Sequence, residues 1–212
     1  MTSWASGLGK DSKFIMKVIK PWGYEYLAYD NDDVGVWILH INEGESTSMH
    51  CHPKKDTGLV VLEGEVEISF LNNTYLKKDF DKTMLRKGLF HSSKAVNGNA
   101  VLLEVESPKD KEDLVRLYDS YGRRFKPYED NKEEGADLSL HEDAQGYRKK
   151  FYLRKVTSRD EISEAKLFVF VGGGLSYKGD MIVKAGDVLD YKTLNTLLDN
   201  FDLIEMEYIA IC

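Results

Sequence analysis

From Phe14 onward, short apolar runs alternate with compact polar breaks. FIMKVIK is followed by Pro21, then by the aromatic-rich KPWGYEYLAY and the loop YDNDDVG. VGVWILHI (34–41) reads as a strand with little alternation, as expected where both faces are buried. Leu59 to Leu62 is apolar, and Glu63-Gly64 reads as a hairpin turn into EVEISFL, where Val66, Ile68 and Phe70 alternate as in a half-buried strand. Asn72-Asn73 marks another hairpin, and KTMLRKGLFHSS and NAVLLEVES read as two further strands. After Pro108 the period changes. Leu114, Leu117, Tyr118 and Tyr121 fall at helical spacing in DKEDLVRLYDSYGRR, with Asp110 as cap and Gly122 as stop. Strands return from Phe151, and KTLNTLLDNF predicts one short helix among them. Many short strands with closely spaced turns predict an all-β sandwich or barrel.

The organisation expected is a flexible N-terminal tail at 1–13, a barrel at 14–125, an acidic linker at 126–150 and a smaller β lobe at 151–212. The tail is Gly- and Ser-rich, and the linker carries KPYEDNKEEGADLSLHEDAQGYR with few aliphatics. The chain has 212 residues, of which 42% are hydrophobic and 31% charged, enough for a substantial core. Its net charge of −7 argues against a general nucleic-acid binder while leaving room for a local basic pocket. Two cysteines, Cys51 and Cys212, make no disulfide framework, which favours a reducing compartment. MTSWASGLGKDSK has no apolar stretch of the kind that directs export, and no apolar run nears the roughly 20 residues that span a bilayer. The protein therefore reads as cytoplasmic.

The chemistry concentrates between Gly44 and Gly64. His50 and His52 are two apart, so on a strand both imidazoles point to one face. His91 follows a glycine-containing turn in LRKGLFHSS and can bring a third imidazole from a later strand. Three of the chain's five histidines then form a three-sided metal site with open positions. Neutral imidazoles suit Zn, Mn, Fe or Ni rather than Mg. Asp56 is a candidate fourth ligand. Glu104 and Glu106 share a strand face and are candidate general bases or additions to the metal shell. Arg116, Lys54 and Lys87, with Lys55 and Lys94, are the cations nearest the motif and candidate phosphate ligands. His40, in an apolar strand, reads as a hydrogen-bonded core histidine, His141 as exposed, and Trp22 and Tyr24 as packing residues.

Gly44, His50, His52 and Gly64 also fall on the spacing of the first cupin motif, with Thr57 at its usual glutamate. Arg86-Lys87-Gly88-Leu89-Phe90-His91 resembles the second motif without its proline. The stretch 17–125 is more specifically similar to the C-terminal domain of type II mannose-6-phosphate isomerases. The matching segments are Lys20-Pro21-Trp22-Gly23, Met49-His50-Cys51-His52 and Leu103-Glu104-Val105-Glu106, then Glu112-Asp113-Leu114-Val115-Arg116, Asp119 and Tyr121-Gly122-Arg123. Ser48 and the loop Pro53 to Thr57 depart from that family's pattern, and 126–212 has no counterpart in it. Within 151–212, VKAGDVL resembles LRKGLFH and LIEMEYI resembles LLEVESP, as in a partial, metal-free second cupin copy with Leu189 where His91 stands.

The resemblance implies a cupin jelly-roll barrel and a metal-dependent sugar-phosphate or nucleotide-sugar isomerase or epimerase. It would act on a small-molecule sugar ligand through an enediol, as a homodimer, in carbohydrate or polysaccharide precursor metabolism. Two other readings follow from Thr57 at the glutamate position. A bare three-histidine site suits a non-haem Fe(II) dioxygenase, and a non-catalytic sugar-binding cupin needs no metal.

Overall fold

The computed structural model describes residues 16–129, 131–134 and 151–212. Over these residues the chain is all-β, an antiparallel barrel-like sheet carrying a smaller second sheet and one short α-helix. The tail at 1–13, most of the expected linker and His141 lie outside the described residues.

The barrel sheet runs through β1 (Met16–Lys20), β2 (Gly23–Asp30), β3 (Gly35–Ile41), β4 (Met49–Cys51) and β5 (Asp56–Phe70). It continues with β6 (Thr74–Lys77), β7 (Lys82–Leu85), β8 (His91–Ser107), β9 (Val115–Tyr118) and β10 (Lys132–Glu134). Its order is β10-β1-β2-β3-β8-β4-β9, with β5 paired to β6, β7 and β8. The second sheet holds β11 (Phe151–Val156), β12 (Leu167–Tyr177), β13 (Asp180–Val183), β14 (Val188–Asp190) and β15 (Asp202–Ile211). Helix α1 (Tyr191–Leu198) falls where KTLNTLLDNF predicts it. Asp190 caps it by accepting from the Thr193 N–H, and Leu194 is its buried anchor. Among the described residues no helix is long and apolar enough to cross a membrane.

Two sequence expectations change here. Glu63-Gly64 is not a hairpin turn, and the end of KTMLRKGLFHSS joins NAVLLEVES in one strand that runs through Asn97-Gly98. β5 and β8 run unbroken past both points and pair with each other along most of their length. The register shifts around Glu63 and Glu65, opposite the Asn97 excursion, and such bulges bend the strands around the barrel. Gly64 sits at φ +82°, where a Cβ would lie 2.6 Å from the Asn99 carbonyl oxygen. A residue type that reads as a turn signal here permits a close backbone approach.

Burial on both faces explains why β3, β5 and β8 show so little alternation. Leu39, Ile41, Leu59, Val61 and Leu102 fill the barrel interior with Trp22, Val66 and Ile68. Their neighbours Val36, Ile38, Val60, Leu62 and Leu103 face outward, onto Leu167, Val169, Ile209 and Ile211 of the second sheet. The far face of that sheet packs Phe168, Phe170 and Tyr208 under α1. The second sheet thus covers the barrel wall.

β12 carries VGGGL, and its pairing with β15 shifts register between Phe170 and Gly172 and again between Gly173 and Leu175. At Gly173 (φ +60°) a Cβ would lie 1.5 Å from the Glu205 carbonyl oxygen. Gly173→Ala is expected to cost about 2 kcal/mol or more, because both the backbone conformation and the strand approach must give. A urea midpoint unchanged from the parent protein would contradict that.

The predicted helix over 110–124 does not form. Asp110 Oδ1 does accept from the N–H groups of Glu112 (3.0 Å) and Asp113 (3.2 Å), which is cap chemistry, but it closes a turn. The chain then extends as β9 along the open edge of β4, pairing Met49 with Tyr118, His50 with Arg116 and Cys51 with Val115. Val115 and Tyr118 stay exposed, so the helical spacing of apolar residues has no buried face to satisfy. The segment expected as linker supplies β10, which pairs antiparallel with β1.

Candidate metal centre and its pocket

His50 lies on β4, His52 directly after it, and His91 opens β8 in register opposite His50. The turn before His91 is anchored by the Gly88 N–H donating to the His52 carbonyl at 2.8 Å. Ring centroids are 4.9 Å apart for His50 and His52, 4.4 Å for His50 and His91, and 5.4 Å for His52 and His91. One nitrogen from each ring lies within 4.8 Å of the others.

Their tautomers follow from their partners. The Nδ1 of His50 contacts the Ser48 carbonyl at 2.7 Å, that of His52 the Asp113 carbonyl at 2.6 Å, and that of His91 the Leu89 carbonyl at 3.0 Å. A carbonyl only accepts, so each Nδ1 carries the proton and each Nε2 keeps its lone pair. His52 Nε2 is buried without a hydrogen-bond partner. Burial holds His52 at about 3 and keeps His50 and His91 below the ordinary histidine value, with the Lys55 ammonium adding to the effect at His52 and the other two imidazoles at His50. Three neutral imidazoles, each oriented by a main-chain acceptor, are the arrangement a divalent transition metal requires, so these residues fit the ion.

Asp56 is not part of this set. It accepts from the Lys87 N–H at 3.1 Å and lies 4.0 Å from Lys184. The loop after His52 does not bulge inward, because Asp113 Oδ2 takes the N–H groups of Lys54 (2.8 Å) and Lys55 (3.1 Å). Thr57, in line with the interior residues Leu59 and Val61, is buried with an unpartnered hydroxyl. Cys51, between the two histidines, is buried, and burial raises its thiol.

His50 and His52 border a pocket that is partly open to solvent. Glu104 lines it and pairs with Lys111 at 2.7 Å. Burial alone would raise the Glu104 carboxyl, but Lys111, Lys55 and His52 outweigh it and hold the group well below the usual carboxylate range. Glu106 does not line the pocket. It is fully buried, accepts from Trp37 Nε1 at 2.7 Å and is ion-paired with Lys55. Lys54 and Lys87 are exposed and outside the pocket lining, so neither stands where a phosphate would reach the histidines.

Arg116 and Lys55 do line the pocket, with Lys20, Lys111 and Arg123, three cations whose place here the sequence reading left unassigned. Two of them, Lys20 and Arg123, fall inside family-like motifs, which is the signal that could have flagged them. Tyr128 and Glu129, from the expected linker, close one side. Tyr128 lays its ring 3.5 Å from Lys20 Nζ and donates its hydroxyl to Glu25. Trp22 borders the pocket as a buried packing residue, and Tyr24 stacks on His40 at 4.2 Å. Burial lowers His40 to about 4, so it is neutral.

No protein-family profile matches the sequence. The chain is 29% identical over 114 residues to the xanthan biosynthesis protein XanB of Xanthomonas campestris pv. campestris (strain B100), a stretch covering 50% of this chain and 24% of XanB. The chain therefore spans about a quarter of the length of the curated relatives it matches. KdgF from Halomonas sp. is similar at a TM-score of 0.43 and 16% identity, over 47% of this chain and 96% of that one. A sugar phosphate isomerase of the cupin superfamily from Silicibacter pomeroyi is similar at a TM-score of 0.37 and 16% identity, over 41% and 59% of the two chains.

Proposed function

We propose that this chain is a metal-dependent isomerase or epimerase of a sugar phosphate or nucleotide sugar. It would resemble mannose-6-phosphate isomerase and act in the cytoplasm on polysaccharide precursors. The supporting observation is that three imidazoles, each with its Nδ1 on a main-chain acceptor, cluster at the edge of a pocket that the ionised Glu104 carboxylate also lines. A divalent ion held by His50, His52 and His91 supplies Lewis acidity toward the sugar's carbonyl and hydroxyl oxygens.

Glu104 is the proton carrier in this reading. It is ionised, so it starts as a base: it takes the proton from the carbon beside the carbonyl, giving an enediolate, and returns it to the former carbonyl carbon while the hydroxyl proton passes from one oxygen to the other. A carboxylate held so low is a weak base while Lys111 donates to it. A substrate oxygen that draws the Lys111 ammonium away strengthens it. Trp22 and Leu39 supply apolar wall and Arg116 an anion contact. The homodimer in this reading would form through β6, an edge that among the described residues pairs only with β5 and exposes Tyr75 and Leu76.

The test begins with elemental analysis of untagged protein, followed by isomerase assays on hexose phosphates with the metal found. Glu104→Gln is expected to lower kcat by about 10²–10⁴-fold with little change in KM. Full activity in that variant would remove Glu104 from the mechanism. The all-imidazole donor set, with Thr57 in place of a carboxylate, also favours a second reading as a non-haem Fe(II) dioxygenase. Iron as the bound metal, with oxygen uptake and no isomerase activity, would select it. Sugar binding without turnover or metal would instead identify a non-catalytic cupin.

A further inference from the structure

The chain after β9 folds back over the pocket as a strap and places the Glu129 carboxylate among three buried cations. Oε2 lies 3.3 Å from Lys20 Nζ and 3.1 Å from Arg116 Nη2, and Oε1 lies 3.0 Å from Arg123 Nη1. These cations are 6%, 9% and 5% exposed. Arg123 has a second carboxylate in Asp119 (2.6 Å), and Lys20 a more distant one in Glu25 (3.8 Å). Among the described residues Arg116 has only Glu129, its other partners being the carbonyls of Arg123, Lys126 and Pro127. Without Glu129, a buried guanidinium would lack a counter-ion, which is costly unless another anion takes the place.

We propose that Lys20, Arg116 and Arg123 form a phosphate subsite beside the metal centre, and that Glu129 fills it in this structure as a built-in substitute. Ligand phosphate enters by exchanging with Glu129, whose side chain swings out as the substrate binds. The proposal deepens the sugar-phosphate reading and rests on it. The geometry favours phosphate over carboxylate. Both oxygens of Glu129 are already used on the three cations, yet Arg116 Nε stays buried without a partner. A phosphate brings a third acceptor oxygen for that donor and close to a second negative charge for the same cations. The strap is attached independently of Glu129. The Asn131 carbonyl accepts from the Ile19 N–H at 2.9 Å, and β10 pairs with β1. A local swing of Glu129 therefore leaves the sheet intact.

The experiment is calorimetric titration of the full-length chain, stripped of metal with EDTA, with inorganic phosphate and separately with acetate. Glu129→Gln keeps the shape and removes the competing charge. It is expected to bind phosphate at least about tenfold more tightly than the parent, with a smaller gain for acetate. Equal or weaker phosphate binding by a folded Glu129→Gln protein would overturn the proposal, as would a larger gain for acetate. Should that variant fail to fold, Glu129→Asp, whose shorter carboxylate reaches the cations less well, gives the same reading. In the parent protein Arg116→Lys is expected to weaken phosphate binding by about tenfold through loss of the fork, and unchanged affinity would count against the subsite. Neither metal nor turnover enters the measurement. A failed phosphate titration thus leaves the histidine centre standing, and an inactive isomerase assay leaves the subsite standing.

Discussion

Lys55→Met should destabilise the protein by about 3–5 kcal/mol, the usual cost of breaking a buried ion pair from one side. Both side chains of the Lys55–Glu106 pair are 0% exposed. Lys55 Nζ also donates to the Asp110 carbonyl at 2.7 Å, and Glu106 keeps only the Trp37 N–H once the ammonium is gone. The carboxylate would then sit inside the barrel with one neutral donor. Chemical denaturation measures the loss. The double variant Lys55→Met/Glu106→Leu should recover most of it, because replacing both charges removes the uncompensated one. A single variant within 1 kcal/mol of the parent would show that the pair is not a structural lock. The pair has a functional side as well. Lys55 fixes the loop that leaves His52, and it is one of the cations holding Glu104 ionised. Glu106 belongs to this lock rather than to proton transfer.

The second large effect concerns the histidines. His52→Ala is expected to reduce bound metal from near one per chain to background and to abolish turnover in the isomerase assay, leaving a folded protein. Loss of an orienting partner alone typically costs 10–100-fold in metal affinity, and loss of a ligand should exceed that. The orienting partners here are backbone carbonyls, which substitution cannot remove. Asp113→Ala tests them indirectly. It frees the Lys54 and Lys55 N–H groups and loosens the turn whose carbonyl holds His52. Metal affinity should fall by about tenfold, measured by competition with a chromophoric chelator. Stoichiometric metal in His52→Ala would sink the assignment of the centre.

Much of the fold and the centre of the site could be read from local pattern. His50 and His52 share a face because a strand repeats every two residues, and His91 follows a turn that Gly88, at φ +75°, allows. The helix at 191–198 has its Asp cap and a buried leucine on a short amphipathic run. The same kind of pattern misleads over 110–124. The Asp110 cap signal and the leucine spacing are present, but the open edge of β4 offers hydrogen bonds that a helix could not make. Glu63-Gly64 likewise reads as a turn and serves as a bend in a continuous strand.

The pocket wall lay beyond local reading. Lys20 meets Glu129 across 109 positions of the chain, and Lys55 meets Glu106 across 51. The hydrophobic pattern around either residue does not show that it is buried or which carboxylate it meets. Lys54 and Lys55 are adjacent, yet one is exposed and the other wholly buried, because successive positions in an extended segment face opposite ways. Asp56 and Lys87 look well placed for a site and lie outside it. By itself the sequence determined the strands, the three histidines and the side of the barrel they share, since these depend on periodicity and short turns. Only the tertiary structure decided which charges enter the pocket and how each is neutralised. Burial of an ion depends on partners brought from distant strands, and long-range pairing leaves no periodic trace along the chain.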